Sequence, residues 1–183
     1  MEDDGYPGYR IRLPASFATA NLTFAVDISL GDPIEPSPQL VQLPCLLTDD
    51  TIALVGYPVV MVHAEKLVTA LQRGTVNTRW RDFADIWTLS RHWDCDGTQL
   101  QAALTTAVAR YRGVTLEALF PAFKGYAELA EVRWSLWRAK QNLDTPLPEQ
   151  FTDVLTDLAH FASPALLGQV TGKTWKASVE TWQ

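Results

Sequence analysis

Between His63 and Leu89 the chain reads HAEKLVTALQRGTVNTRWRDFADIWTL. Lys66 and Arg73 stand seven residues apart, two turns along one helix, and Arg79, Arg81, Asp82 and Asp85 form a second polar group. A lysine offers a phosphate oxygen a point charge, an arginine offers it a planar fork of donors, and a carboxylate offers Mg²⁺ an oxygen ligand. Phosphoryl and nucleotidyl transfer depend mainly on positioning and charge neutralisation, so a site handling a phosphate ester and a metal asks for these residue types. Their concentration is notable in a chain whose net charge is −6. On spacing alone the same residues also fit a solvated helix face, with i,i+4 pairs such as Arg81–Asp85 worth only about 0.3–0.5 kcal/mol each.

The elements that must hold these groups follow from periodicity. In LTFAVDISL, residues 22–30, Leu22, Phe24, Val26, Ile28 and Leu30 alternate onto one strand face, expected to be buried, and Asp27 falls on the other. A shorter strand is expected over Tyr9–Leu13, stopped by Pro14, and another over Ile52–Val55. The proline-bearing stretch 33–50 reads as a loop or irregular edge. A first helix is expected from Val59 or Val60 to Gln72 or Arg73, closed by Gly74, and a second from about Arg79 to Ser90. In the second, Phe83, Ile86, Trp87 and Ser90 share one side, with Asp82, Asp85 and Leu89 adjoining it. Further helical patterns lie near 98–111, 123–141 and 149–161, with Thr98 and Thr115 as N-caps, and the tail 168–183 reads as docked or loose. A β-rich part, 1–58, thus precedes a helical part, 59–183.

A length of 183 residues with 47% hydrophobic content and seven tryptophans excludes global disorder. The acidic balance argues against binding nucleic acid over the whole surface but permits a local basic patch. Cys45 and Cys95 are too few for a disulfide framework or a zinc site and read as reduced packing residues. His63, His92 and His160 have no partner at metal-ligand spacing. Trp134 and Trp137, flanked by Arg133 and Arg138, read as core with adjoining charge rather than as a base-stacking platform. The N-terminus MEDDGYPGYR lacks the apolar run of a signal peptide, and no segment approaches the roughly 18 apolar residues of a membrane span. A cytoplasmic protein without membrane association is expected.

Three stretches, VDISLGDPIEP (26–36), AEKLVTALQRG (64–74) and NTRWRDFADIWTL (77–89), together with the YPGYR opening, resemble the AbiEii/AbiGii-type toxin nucleotidyltransferases, the group that includes the MenT-type toxins. Order and spacing match as well, over about residues 6–90. The resemblance implies an α+β, DNA-polymerase-β-like nucleotidyltransferase fold, a small mixed sheet with helices followed by a helical lobe. It implies that Asp27 is a metal-directed carboxylate for Mg²⁺, that Lys66 contacts the nucleotide phosphates, and that Arg73 is the basic residue closing the same helix. Asp85 matches the second aspartate of an Arg-Asp-x-x-Asp signature, a catalytic position, with Arg81 and Asp82 at its start and Arg79 adding to the phosphate-binding group. The implied activity is transfer of nucleotides from NTP to tRNA with Mg²⁺, by a toxin neutralised by a cognate antitoxin. The family's first motif, a Gly-Ser turn followed by Asp-x-Asp on a strand, has no counterpart in this sequence, so an N-terminally shortened member is expected. The alternative is a catalytically impaired remnant that binds RNA, nucleotide or an antitoxin through the basic cluster around Lys66–Arg81.

Overall fold

Alternation along the first thirty residues produces a two-stranded ribbon. The computed structural model describes residues 8–76, 79–118, 123, 125–141 and 147–183. Within them, β1 (Gly8–Phe17) and β2 (Ala20–Ser29) pair antiparallel, with Tyr9 opposite Ile28, Ile11 opposite Val26, Leu13 opposite Phe24 and Arg10 opposite Asp27. Leu22, Phe24, Val26 and Ile28 do share one face with Tyr9, Ile11 and Leu13. That face is not buried as expected: Leu22 is 57% and Ile28 39% exposed. Strand alternation fixes which side chains lie together, but the two described strands of this unit have no second layer of their own to cover them. Pro14 does not stop β1 either, because each strand of a two-stranded ribbon has an open edge where a missing N–H costs no ladder bond.

The ribbon belongs to the first of two compact units, Met1–Pro33 and Ile34–Gln183. The second unit opens with another antiparallel ribbon, β3 (Gln39–Pro44) and β4 (Thr51–Gly56). A strand at 39–44 was not expected in the proline-bearing stretch. Pro38 and Pro44 bracket a run of proline-free residues, so the prolines bound the strand rather than break it.

Helix α1 (Val59–Arg73) begins straight after Pro58 and ends at Gly74, whose φ of 51° lies in the region glycine tolerates best. Helix α2 (Trp80–His92) turns Phe83, Ile86, Trp87 and Ser90 inward, the side expected from their spacing. After the two-residue strand β5 (Cys95–Asp96), helix α3 (Gly97–Ala102) continues through a π-helical stretch (Ala103–Ala109) into a final turn (Arg110–Arg112). Asp96, not Thr98, caps it: the Asp96 carboxylate accepts from the Gln99 N–H at 2.8 Å, whereas the Thr98 hydroxyl accepts from the Gly172 N–H. The helix expected after Thr115 falls partly on 119–122, outside the described residues. Helices α4 (Tyr126–Arg138) and α5 (Phe151–Leu166) complete the helical set. With small antiparallel sheets and these helices, the protein is of the mixed α+β class expected from its sequence.

Phe151 is a centre of the core, with Phe83 and Trp80 each meeting it edge-on at 5.2 Å and Trp134 at 5.3 Å. The tail is docked rather than loose. Strand β6 (Thr174–Lys176) pairs with β5 on one side and β7 (Thr181–Trp182) on the other. The buried Trp175 indole donates to the Ser90 carbonyl at 2.7 Å, and the Trp182 indole donates to the Phe161 carbonyl at 2.9 Å. Both bonds tie the tail to helices α2 and α5.

This docking depends on Gly97. A Cβ there would lie 2.2 Å from the Val170 carbonyl oxygen and 2.8 Å from that of Lys173, both backbone atoms. Gly97→Ala is therefore expected to lower stability by about 1–3 kcal/mol through overpacking, measured by urea unfolding. An unchanged midpoint would show that the tail does not approach the helix this closely.

Candidate active site

Helix α1 is fixed by Ala64, Leu67, Val68 and Ala70, all essentially excluded from solvent. That anchoring leaves Lys66 on the side facing α2. Its ammonium lies 2.8 Å from Asp85 Oδ2 and 3.1 Å from Asp82 Oδ1. The Lys66 and Asp82 side chains are only 21% and 15% exposed, that of Asp85 36%. Burial works against the Lys66 charge, but hydrogen bonds and Coulomb attraction from Asp85 and Asp82 outweigh it and hold the ammonium pKa above its ordinary value. Asp82 stands in the first turn of α2, where the helix dipole also favours a carboxylate. Arg81, largely exposed, brings its Nε to 3.8 Å from Asp85 Oδ2.

Beside this cluster opens a cavity of about 400 Å³, within the size range of small-molecule sites. Lys66, Arg81, Asp85, Thr88 and Gln141 contribute polar groups to its lining. Val62, Ala84, Leu89, Trp93 and Trp137 make the remainder apolar. Trp137 stacks on the buried Trp134 with ring centroids 5.2 Å apart and 28° between planes. Gln141 Nε2 donates to the Trp137 carbonyl at 3.2 Å. Trp93, just past the end of α2, remains half-exposed.

Four residues singled out in the sequence, Lys66, Arg81, Asp82 and Asp85, are thus brought together. Arg73, half-buried at the end of α1, and Arg79, exposed immediately before α2, do not line the cavity. Asp27 belongs to the first unit, where Arg10 grips both of its oxygens, Nε to Oδ1 at 2.5 Å and Nη2 to Oδ2 at 2.7 Å. The Arg10 hydrogen bond holds the Asp27 carboxyl below the ordinary range. Sequence reasoning missed Trp93 and Gln141, while Trp137, read as core, does pack against the core and lines the cavity as well. The available signal was a tryptophan immediately beyond a helix end and a second one turn past Trp134.

These groups do not by themselves form a resident Mg²⁺ site. Asp27 is engaged at both oxygens by a guanidinium, and Asp82 and Asp85 each give an oxygen to Lys66. Asp82 Oδ2 is left buried without a hydrogen-bond partner, but one such oxygen is not a metal site. Among the described residues, no group of three or more His, Cys, Asp or Glu is placed to hold a metal ion.

The model of the nucleotidyl transferase AbiEii toxin family, of type IV toxin–antitoxin systems, matches residues 1–173. This chain belongs to the AbiEii nucleotidyltransferase toxin family, whose members are toxins of toxin–antitoxin systems with nucleotidyltransferase activity. Neither a curated protein nor a solved structure gives a significant match. Among the described residues, no helix is long and apolar enough to cross a membrane.

One turn before Lys66, His63 is fully buried against Phe161, and neither ring nitrogen has a hydrogen-bond partner. Burial, reinforced by the nearby Lys66 charge, depresses its pKa to about 4. Above the unfolded value near 6.5 both states are neutral and nothing is lost. As pH falls from 6.5 towards 4 the unfolded chain takes up a proton that the native state refuses, so stability falls. Between pH 7 and pH 5 the wild type is expected to lose about 2 kcal/mol more than His63→Phe, measured by urea unfolding at each pH. Equal losses in the two proteins would contradict a neutral, unpartnered His63.

Proposed function

We propose that the cavity between α1 and α2 is where this chain joins a nucleotide from NTP to a tRNA acceptor. What supports this reading above all is one juxtaposition: a lysine ammonium and an aspartate carboxylate 2.8 Å apart, both lining the same ligand-sized cavity. An ammonium has three N–H donors. Asp82 and Asp85 engage two of those of Lys66, and the third is available for an oxygen of the phosphoryl group being transferred. Asp85 takes the proton of the attacking ribose hydroxyl. The hydroxyl oxygen bonds to the α-phosphorus, the bond from that phosphorus to the bridging oxygen breaks, and pyrophosphate leaves with its electron pair.

In this reading Arg81, exposed beside Asp85, and Arg79 and Arg73, at the facing ends of α2 and α1, contact the remaining phosphates. Mg²⁺ arrives as the counter-ion of the triphosphate, part of the substrate rather than a resident of the cluster. The cytoplasm, which supplies NTP and tRNA, is the site of action, and a cognate antitoxin restrains it.

The test is transfer of label from α-³²P NTP to tRNA in the presence of Mg²⁺. Lys66→Ala and Asp85→Asn are expected to lower the rate by at least about 100-fold, and Arg81→Ala by about tenfold, mainly through KM. Background labelling by wild type, or equal rates in all four proteins, would refute the reading. A second reading, a non-catalytic remnant that binds RNA, nucleotide or an antitoxin, is favoured by the exposed apolar face of the β1–β2 ribbon, a surface suited to a protein partner. It predicts salt-dependent tRNA binding without turnover.

A further inference from the structure

We infer that two copies of this chain join edge to edge through β2, antiparallel about a two-fold axis at Ala25, so that their ribbons form one four-stranded sheet. Only residues of the first unit are needed for this, and none of the transferase chemistry.

Backbone direction singles out the edge. Among the described residues β2 pairs with β1 alone, across a two-residue turn at Ala18 and Thr19 with Ala18 at φ 52°. Such a turn makes Phe17–Ala20 the closing hydrogen-bonded pair. Alternation from there turns the N–H and C=O groups of Asn21, Thr23, Ala25, Asp27 and Ser29 away from β1. The bidentate Arg10–Asp27 contact agrees, since side chains approach most closely across pairs that share no backbone bond. A row of outward donors and acceptors is a template for another strand. The outer edge of β1 is a poor one: Pro14 has no N–H to offer, and self-pairing about Arg12 would set two guanidinium groups face to face. Strand β2 contains neither proline nor a basic residue.

The side chains of β2 say which strand fits. Read outward from Ala25 in both directions they match in kind: Phe24 with Val26, Thr23 with Asp27, Leu22 with Ile28, Asn21 with Ser29. Antiparallel pairing about Ala25 sets each residue opposite its counterpart on the second copy. Phe24 then meets the partner's Val26, and Leu22 the partner's Ile28, in the pairs whose side chains stand closest. On the other face the Thr23 hydroxyl donates to the carboxylate of the partner's Asp27. No like charges face each other along the seam. Leu22, Phe24, Val26 and Ile28 are between 39% and 57% exposed, and the seam covers part of that surface. Two strands alone are marginal in water, whereas four are a common sheet size. The contact is isologous and leaves the Pro14-bearing edges outermost, so assembly stops at two copies.

Sedimentation of the full chain up to about 100 μM is expected to show a monomer–dimer equilibrium with Kd in the micromolar range. Ala25 is exposed on the polar face, so a single ribbon tolerates a charge there. Ala25→Lys and Ala25→Glu each set like charges against each other at the axis. Each is expected to weaken dimerisation by about tenfold or more, and an equimolar mixture of the two to restore it. Circular dichroism identical to wild type verifies that both variants are folded. In the wild type, exchange of the Thr23, Ala25 and Asp27 amide hydrogens is expected to slow severalfold as concentration passes Kd, with Arg10 and Arg12 unchanged.

A chain that stays monomeric throughout would overturn the inference and leave β2 for a strand of another protein. So would a dimer indifferent to both Ala25 variants, or folded variants whose mixture fails to associate. Edge amides that exchange at one rate at every concentration would do the same.

Discussion

One ammonium held between two carboxylates joins α1 to α2, and the candidate site has no defined geometry without it. At about 3 Å and an effective dielectric near 20, each contact supplies roughly 5 kcal/mol of attraction. Withdrawing three charged groups from water costs several kcal/mol apiece if fully buried, so most of that attraction is offset. The Lys66–Asp82–Asp85 cluster survives this balance because Asp85 keeps a third of its side chain in water and Lys66 a fifth. The arrangement contributes orientation more than stability. It sets the carboxylate of Asp85 and the ammonium of Lys66 against the same cavity wall and fixes the separation of the two helices at that point.

The remainder of the second unit acts to keep that pair of helices in place. The aromatic contacts to Phe151 bind α2 to α4 and α5 through Trp80, Phe83 and Trp134. On the far end of α2, Arg91 lies over the Trp87 ring and pairs with Asp157 of α5 at 2.6 Å and Glu180 of the tail at 2.7 Å. Trp87 itself donates to the same Asp157 at 2.8 Å. The tail strand then closes over Ser90 through Trp175. A site carried on helices locked at several points needs little reorganisation to present its groups, which is what transfer chemistry governed by positioning requires.

What was legible in the sequence is what local periodicity and chemical type determine. The limits of α1 followed from Pro58 and Gly74, and the inward side of α2 from the spacing of Phe83, Ile86, Trp87 and Ser90. What was not legible depends on tertiary partners. Alternation placed Leu22, Phe24, Val26 and Ile28 on one face, but it carries no information about whether a second layer covers them. Pro14 stays in a strand because its ribbon has open edges, a property of strand count rather than of the residue. Trp137 packs against the core, as its place one turn past Trp134 suggests. Only the packing of α4 beside α2 reveals that Trp137 also lines a cavity with Trp93 and Gln141. Thr98 had the chemistry of a cap, but Asp96 stands where the first free N–H groups point.

The central claim is that Lys66 and Asp85 interact directly across the two helices, and a double-mutant cycle tests it without reference to activity. Unfolding free energies of wild type, Lys66→Met, Asp85→Asn and the double variant give the coupling between the two side chains. For charged groups in contact and partly buried, a favourable coupling of about 0.5–3 kcal/mol is expected, reduced but not abolished by added salt. A coupling of zero, with the two substitutions strictly additive, would mean that the side chains do not meet and that the site described here does not exist.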